Sequence, residues 1–317
     1  MKILLTKKLT PSMAAQFDES VRLVNVPEGD KEAFEKEISD ADGLLLSTAF
    51  KVTKETLDHA PNLKVISRTG VGVDNVDVAE ASAKGIMVLN TPSSNALSVA
   101  EHAVMFMCAL SKQLTYYMDE LKAGNFKVRR ENKSADLNGK TLGLIGCGRI
   151  GRMVAQKCEA AFNMKVIGYD PFISEDIDNI HILPDMDQVL EQADFVSLHL
   201  PLTDETLNLI DKDKLALMKP TAYIINTSRG GIINEQDLAD ALNSGVIAGA
   251  AVDVFSSEPP DDNPLLTAKN ILLTPHSAAL TKECTQRVLQ DAVTGISDFC
   301  SGEKPQHIFN EKQLAKK

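Results

Sequence analysis

The chain has 317 residues, 44% of them hydrophobic and 24% charged, and a formal net charge of −11. That length supports two domains with sizeable cores, and the composition is ordinary for a soluble globular protein. The negative balance argues against a partner that is nucleic acid or an anionic membrane, because both would be repelled; a small anion held by local positive charge remains open.

The N-terminus, "MKILLTKKLTP", carries an apolar run too short for a signal peptide or a membrane span. No later segment approaches about 18 unbroken apolar residues. The cysteines (Cys108, Cys147, Cys158, Cys284 and Cys300) form no CxxC pair. They read as reduced thiols in a cytoplasm, and no metal site is expected.

Five short apolar runs punctuate the first ninety residues: 2–6, 21–26, 43–47, 64–67 and 86–90. Helical stretches at 12–20, 30–40, 53–60 and 75–85 separate them. Continuous apolar strands, as opposed to alternating ones, suit a parallel sheet covered on both faces. Residues 95–122 are apolar-rich and free of Pro and Gly, which predicts one long helix, in the core or at a subunit contact. The polar stretch 123–140 reads as an exposed arm. The βα alternation then restarts, with strands predicted at 141–146, 165–170, 194–200, 222–228, 249–255 and 270–276, and a final helix at about 282–299. Loops after these strands hold Asp170, His199, Arg229, Asp253 and His276. Ligands of open parallel sheets bind beyond the carboxyl ends of the strands.

The stretch 143–151, "GLIGCGRIG", lies between a predicted strand and a helix, and a second strand ends at Asp170. Gly146 would permit the sharp turn, Gly148 the approach of a pyrophosphate, and Gly151 the packing of helix on strand. Amides around Arg149 and Ile150 would hold the phosphates. Asp170 would accept from ribose hydroxyls and repel a 2′-phosphate, so the cofactor expected is NAD and not NADP.

Three later segments stand out: "INTSRGGIINE" with Arg229, "DVFSSEPP" with Glu258 and "LLTPHSAALT" with His276. Taken singly, each has a plain explanation as a surface arginine, a loop carboxylate or a structural histidine. Together they supply what hydride exchange at a 2-hydroxy acid requires. A guanidinium can hold the carboxylate, and an imidazole can move the hydroxyl proton. A carboxylate beside that imidazole would favour the acid form needed for ketone reduction.

These segments, with "SRTGVGVDNVDV" (67–78) and "NTPSSNALSVAEH" (90–102), resemble the D-isomer-specific 2-hydroxyacid dehydrogenases over nearly the whole chain. The nearest branch is the short phosphoglycerate dehydrogenase-like one. The resemblance implies an α/β protein of two doubly wound parallel-sheet domains. An NAD-binding Rossmann domain (98–285) is inserted into a flavodoxin-like substrate domain (1–97 with 286–317). It implies Arg229 as the substrate-binding arginine, Glu258 as the histidine's partner and His276 as acid/base. Arg68 and the amides of Gly70, Val71 and Gly72 would bind the substrate, a small anionic 2-hydroxy or 2-keto acid. Beyond the glycine turn, the cofactor contacts implied are Asp170, Leu200, Pro201, Thr227, Ser228, Asp253, His276 and Ala278. A homodimer through the NAD domain is also implied.

Ser47 stands where phosphoglycerate dehydrogenases commonly carry an arginine for the substrate's phosphate, so a hydroxypyruvate or glyoxylate reductase without phosphate recognition is the alternative. The chain ends at Lys317 without the serine-sensing domain some relatives append, so feedback by that route is not expected. An NAD-sensing, corepressor-like binding protein is the alternative of another class.

Overall fold

The first ninety residues build a sheet from strands that are apolar on both faces. Strands β1 (Lys2–Leu5), β2 (Arg22–Asn25), β3 (Gly43–Leu46), β4 (Val65–Arg68) and β5 (Met87–Leu89) alternate with helices α1 (Pro11–Ala14), α2 (Lys31–Ile38), α3 (Lys54–Asp58) and α4 (Val78–Ala83). All neighbours are parallel, in the order β2-β1-β3-β4-β5, which is the doubly wound order expected of a flavodoxin-like sheet. Successive side chains of a strand point to opposite faces. Leu4, Leu44, Leu46 and Ile66 therefore enter one core while Ile3, Leu5, Leu45 and Val65 enter another. The helix starts are written locally: Thr10, Asp30, Thr53 and Asp77 each accept a hydrogen bond from a backbone amide of the first turn.

The stretch expected to be one helix is two. Helix α5 (Ala96–Ser111) and helix α6 (Leu114–Lys122) are separated at Gln113, whose φ is +52°. No Gly or Pro marks the break. The Gln113 side chain donates to the Leu110 carbonyl and to the distant Tyr223 hydroxyl, both at 3.2 Å. Ser111 Oγ and Lys112 Nζ donate to the Ala135 carbonyl. The cause is long-range, and local periodicity carries no trace of it.

The second sheet follows. Strand β6 (Thr141–Ile145) leads into α7 (Arg149–Phe162), β7 (Lys165–Tyr169), β8 (His181–Ile182), α8 (Met186–Gln192), β9 (Phe195–Leu198), α9 (Lys212–Leu217), β10 (Tyr223–Asn226), α10 (Glu235–Ser244), β11 (Gly249–Val252) and β12 (Ile271–Leu273). Its order is β12-β11-β10-β9-β6-β7-β8, parallel throughout. Strand β8 is a seventh strand that the sequence did not announce, because two residues are too few to show a period. The chain winds outward one way from β6 through β7 and the other way from β9, so the switch point falls between β6 and β9. Leu142 and Leu144 of β6 feed the core under α5 and α7, and Ile145 feeds the core under α8, α9 and α10.

Helix α11 (Lys282–Ser301) lays Ala292, Val293 and Ile296 on the core of the first sheet, and α12 (Glu311–Leu314) follows. The structure, a computed structural model, describes residues 1–315. Two units result, Met1–Asn95 with Thr281–Lys317, and Ala96–Leu280. The tail is latched to the first unit by Asn310, which is fully buried. Its Nδ2 donates to Ser82 Oγ and to the Ile86 carbonyl, and its Oδ1 accepts from Val88 N, all at 2.9 Å.

Asn310→Ala takes away the Asn310 partner of the buried Val88 amide and Ile86 carbonyl, while Ser82 Oγ keeps its bond to the Val78 carbonyl. Equilibrium urea unfolding should show the transition of the first unit destabilised by about 3 kcal/mol, with the second unit unmoved.

Candidate active site

The glycine turn sits at the carboxyl end of β6. At Gly146 φ is +94°, and a Cβ there would lie 2.5 Å from the His199 carbonyl oxygen. At Gly151 a Cβ would lie 2.4 Å from the Gly146 carbonyl oxygen. Gly148, the residue before α7, has nothing within 4 Å of where a Cβ would stand. The first amides of α7, from Arg149 onward, have no acceptor within the helix and present a positive helix end there. Asp170 is tied into the same turn: its Oδ2 accepts from Cys147 N and its Oδ1 from Phe172 N, both at 3.0 Å. A carboxylate accepts about four hydrogen bonds, so room for hydroxyl donors remains. Cys147 between the glycines is inert, because burial, aided by the Asp170 charge, pushes its thiol up to about 12. Leu200 lines the turn, and Pro201 follows, its carbonyl accepting from Thr206 Oγ1 at 2.7 Å.

At the end of β10, Thr227 is buried and its Oγ1 has no hydrogen-bond partner. A buried hydroxyl without a partner at the end of a parallel strand fits a bound dinucleotide, as do the open space at Gly148 and the carboxylate of Asp170. Ser228 turns back on Asn226, donating to its Oδ1 from both N and Oγ. Arg229 Nη1 is anchored on the Ser228 carbonyl at 2.7 Å, and the Arg229 carbonyl accepts from Asn226 Nδ2 at 2.9 Å. The next residue, Gly230, lies so close to the segment that follows β11 that a Cβ would stand 1.9 Å from the Phe255 carbonyl carbon. Only glycine permits this approach, which brings the arginine loop against the segment carrying Glu258.

His276 Nδ1 lies 2.8 Å from Glu258 Oε2 and 3.0 Å from Oε1. Glu258 Oε1 also accepts from Phe255 N at 3.2 Å, which fixes the carboxylate. With Nδ1–H directed at Glu258, Nε2 is the ring atom left to exchange a proton. Both side chains keep solvent contact, 47% for His276 and 39% for Glu258.

The histidine loop is wound around Asp253, which is fully buried. Ser277 N donates to Oδ1 at 2.8 Å and Ala278 N to Oδ2 at 3.0 Å, while Thr274 Oγ1 donates to Oδ1. The His276 amide donates to the Asp253 carbonyl at 2.7 Å. His276 itself takes φ +50°. Sequence reasoning gave no role to Thr274, to Glu235, which accepts from Ser256 N at 2.7 Å and Asn263 Nδ2 at 2.8 Å, or to His102, whose Nε2 lies 3.1 Å from Thr274 Oγ1. "HAVMFMCAL" looks like plain helix core, so nothing local flags His102.

In the first unit, Arg68 closes β4 and its guanidinium lies over Gly70, where a Cβ would fall 1.3 Å from Nη1. The Gly70 carbonyl accepts from Thr91 N at 2.9 Å and the Val71 carbonyl from Asn90 Nδ2 at 2.7 Å, which shapes the 70–72 loop up to Gly72.

Residues 104–278 match the family described as D-isomer specific 2-hydroxyacid dehydrogenase, NAD binding domain. The chain is 41% identical over 314 residues to the D-3-phosphoglycerate dehydrogenase of Methanocaldococcus jannaschii, covering 98% of this chain and 59% of that one. It thus spans little more than half the length of that curated relative. Among solved structures, a protein from Thermus thermophilus superposes with a TM-score of 0.88 at 30% identity, covering 98% of this chain and 100% of the other. The NAD-dependent formate dehydrogenase of Staphylococcus aureus, solved with NAD, gives 0.84 at 31% identity, covering 96% and 97%.

Gly148 and Gly151 of the turn should differ in what they do for folding. Gly151→Ala forces a methyl onto a backbone oxygen and should cost about 1–3 kcal/mol of stability. Gly148→Ala meets nothing and should stay within about 0.5 kcal/mol of the parent in the same urea titration.

Proposed function

The chain belongs to the D-isomer-specific 2-hydroxyacid dehydrogenases, and on that footing we propose that it is an NAD-dependent oxidoreductase. It moves a hydride reversibly between NAD(H) and C2 of a small 2-hydroxy or 2-keto acid. The observation that carries this reading is the His276–Glu258 pair at 2.8 Å, set at the strand ends of the sheet that holds the glycine turn. When bound, the nicotinamide supplies or accepts the hydride. Glu258 holds the imidazole by Nδ1, so His276 Nε2 gives a proton to the C2 oxygen in reduction and takes it back in oxidation. Arg229 binds the substrate carboxylate through its guanidinium, whose direction is set by the Ser228 carbonyl. Arg68 and the 70–72 loop serve as substrate-binding elements of the first unit. Gly146, Gly148, Gly151 and the amides of Arg149 and Ile150 seat the pyrophosphate, Asp170 the adenosine ribose, and Thr227 Oγ1 gains the partner it lacks.

A homodimer through the second unit is part of the proposal. Leu97, Met105, Leu114, Met118, Leu121 and Phe126 along α5, α6 and the following turn are exposed, Phe126 by 65%. A run of large apolar side chains on one element pair is what a subunit contact covers. Among the described residues no helix is long and apolar enough to cross a membrane. The cysteines are all free thiols, which supports a reducing cytoplasm.

Two observations divide over the substrate. The identity to D-3-phosphoglycerate dehydrogenases favours a phosphorylated acid. Ser47 favours an unphosphorylated one, such as hydroxypyruvate or glyoxylate. It is buried, its amide donates to Thr6 Oγ1 at 2.7 Å, and its carbonyl accepts from Asn75 Nδ2 at 3.0 Å, so it is knit into the sheet's own polar network.

His276→Ala should bind NADH as the parent does, measured by the cofactor's own fluorescence, yet lose kcat by about two to four orders of magnitude. Near-parental turnover would end this account of the chemistry. In a keto-acid panel, phosphohydroxypyruvate and hydroxypyruvate should differ in kcat/KM by less than about tenfold, since no arginine replaces Ser47 to reward the phosphate. An advantage of about a hundredfold or more for the phosphorylated acid would assign the chain to phosphoglycerate oxidation instead.

A further inference from the structure

We propose that His102 on α5 is a positioning residue for His276, acting through a directed chain of hydrogen bonds that runs from His102 to Thr274 to Asp253. The inference rests on the reading of His276 as the acid/base.

The hydrogen positions follow from valence. Three donors converge on the two Asp253 side-chain oxygens: the Ser277 and Ala278 amides and the Thr274 hydroxyl. The carboxylate is therefore the acceptor throughout. Thr274 has one hydroxyl hydrogen, and it is directed at Asp253 Oδ1. What the Thr274 oxygen has left is acceptor capacity. His102 Nε2, at 3.1 Å, must then be the donor, which fixes the Nε2–H tautomer. The ring is packed edge-on against Phe106, with centroids 4.5 Å apart. The same Nε2 lies 3.9 Å from Asp253 Oδ1. Burial holds the imidazole below its usual range, against the opposing pull of Asp253, which suits a neutral one-way donor.

The consequence reaches the reacting end of the site. Thr274 is two residues before His276, and its amide is fixed on the Val252 carbonyl. With His102 donating, Thr274 Oγ1 has one rotamer that satisfies both partners. The Asp253 carboxylate is then held in the orientation that receives Ser277 and Ala278. The loop closes with His276 at φ +50° and its Nδ1 on Glu258. Remove the His102 donor and the hydroxyl is released to alternative rotamers, and the loop loses its anchor on α5.

Four variants and one spectrum test this. His102→Leu and Thr274→Val should each lower kcat by about five- to tenfold with KM for the keto acid changed less than about twofold. The double variant should fall no more than about twofold below the worse single one, because both break one chain. His102→Gln presents an N–H at similar reach and should recover kcat to within about twofold of the parent. The protein has six histidines, so long-range proton–nitrogen spectra of the histidine-labelled protein can assign each tautomer. His102 should show Nε2–H. The His276 ring signals should move in His102→Leu and in Thr274→Val and return in His102→Gln. Parental kcat in the single variants, additive losses, failure of Gln to rescue, or His102 in the Nδ1–H tautomer would each overturn the proposal. If the parent reduces no keto acid, or His276→Ala is as active as the parent, the functional reading falls instead. The relay then stands or falls on whether the His276 signals move.

Discussion

A carboxylate with no access to water has to be met by donors, and Asp253 is met by the loop that carries His276. Hydrogen bonds to a charged group contribute about 1.5–3 kcal/mol each, and a buried charge stripped of its partners costs about 3–5 kcal/mol. Holding a non-glycine residue in the left-handed region costs about 1–2 kcal/mol. The amides of Ser277 and Ala278 on the Asp253 carboxylate, with the His276 amide on its carbonyl, outweigh that cost. So the loop accepts φ +50° at His276, and the imidazole lands on Glu258. The geometry of the His276–Glu258 pair follows from satisfying one buried anion.

The sheet decides where such a loop can be. All neighbouring strands of the second unit are parallel, so every strand delivers its carboxyl end to the same edge. Along that edge the chain places the turn after β6, Asp170 after β7, Thr227 to Gly230 after β10, Asp253 after β11 and the histidine loop after β12. Apolar residues inside the strands keep the edge rigid from both sides, Leu142 and Leu144 in one core and Ile145 in the other. Fully burying one such side chain is worth about 1.5–3 kcal/mol. Polar residues at the strand ends can therefore be spent on chemistry, because the interior does not need them for stability.

The parallel sheets, the glycine turn and the cluster of polar residues at strand ends were legible because each is written in neighbouring residues. An apolar run gives a strand, and Gly146 and Gly151 mark a turn that a Cβ would block, with Gly148 open between them. What failed to show depends on residues far apart in the chain. Gln113 breaks a helix because Tyr223, more than a hundred positions on, accepts its side chain. Strand β8 exists because β7 offers it an edge, and its two residues have no period of their own. His102 sits in an apolar helix, and only the fold shows that it faces Thr274. The pairing of Glu258 with His276 rested on the chemistry the three segments could supply together and on the family resemblance; no spacing rule connects positions eighteen residues apart across a strand.

Burial sorts three of the second unit's four histidines into different kinds of work. His199, enclosed beneath the glycine turn, is pushed down to about 4, and its Nε2 is engaged with Ser197 Oγ at 3.0 Å. Burial favours its neutral form. His102 is partly enclosed, shifted the same way, and engaged at Nε2. His276 keeps nearly half its side chain open and has Nδ1, not Nε2, occupied by its partner. A group that must take and return a proton needs one nitrogen held and the other reachable, and of these three only His276 meets that condition. The same imidazole becomes structural or reactive according to which nitrogen the fold covers. The fold sets that through the carboxylate of Glu258 on one side and the buried anion of Asp253 beneath.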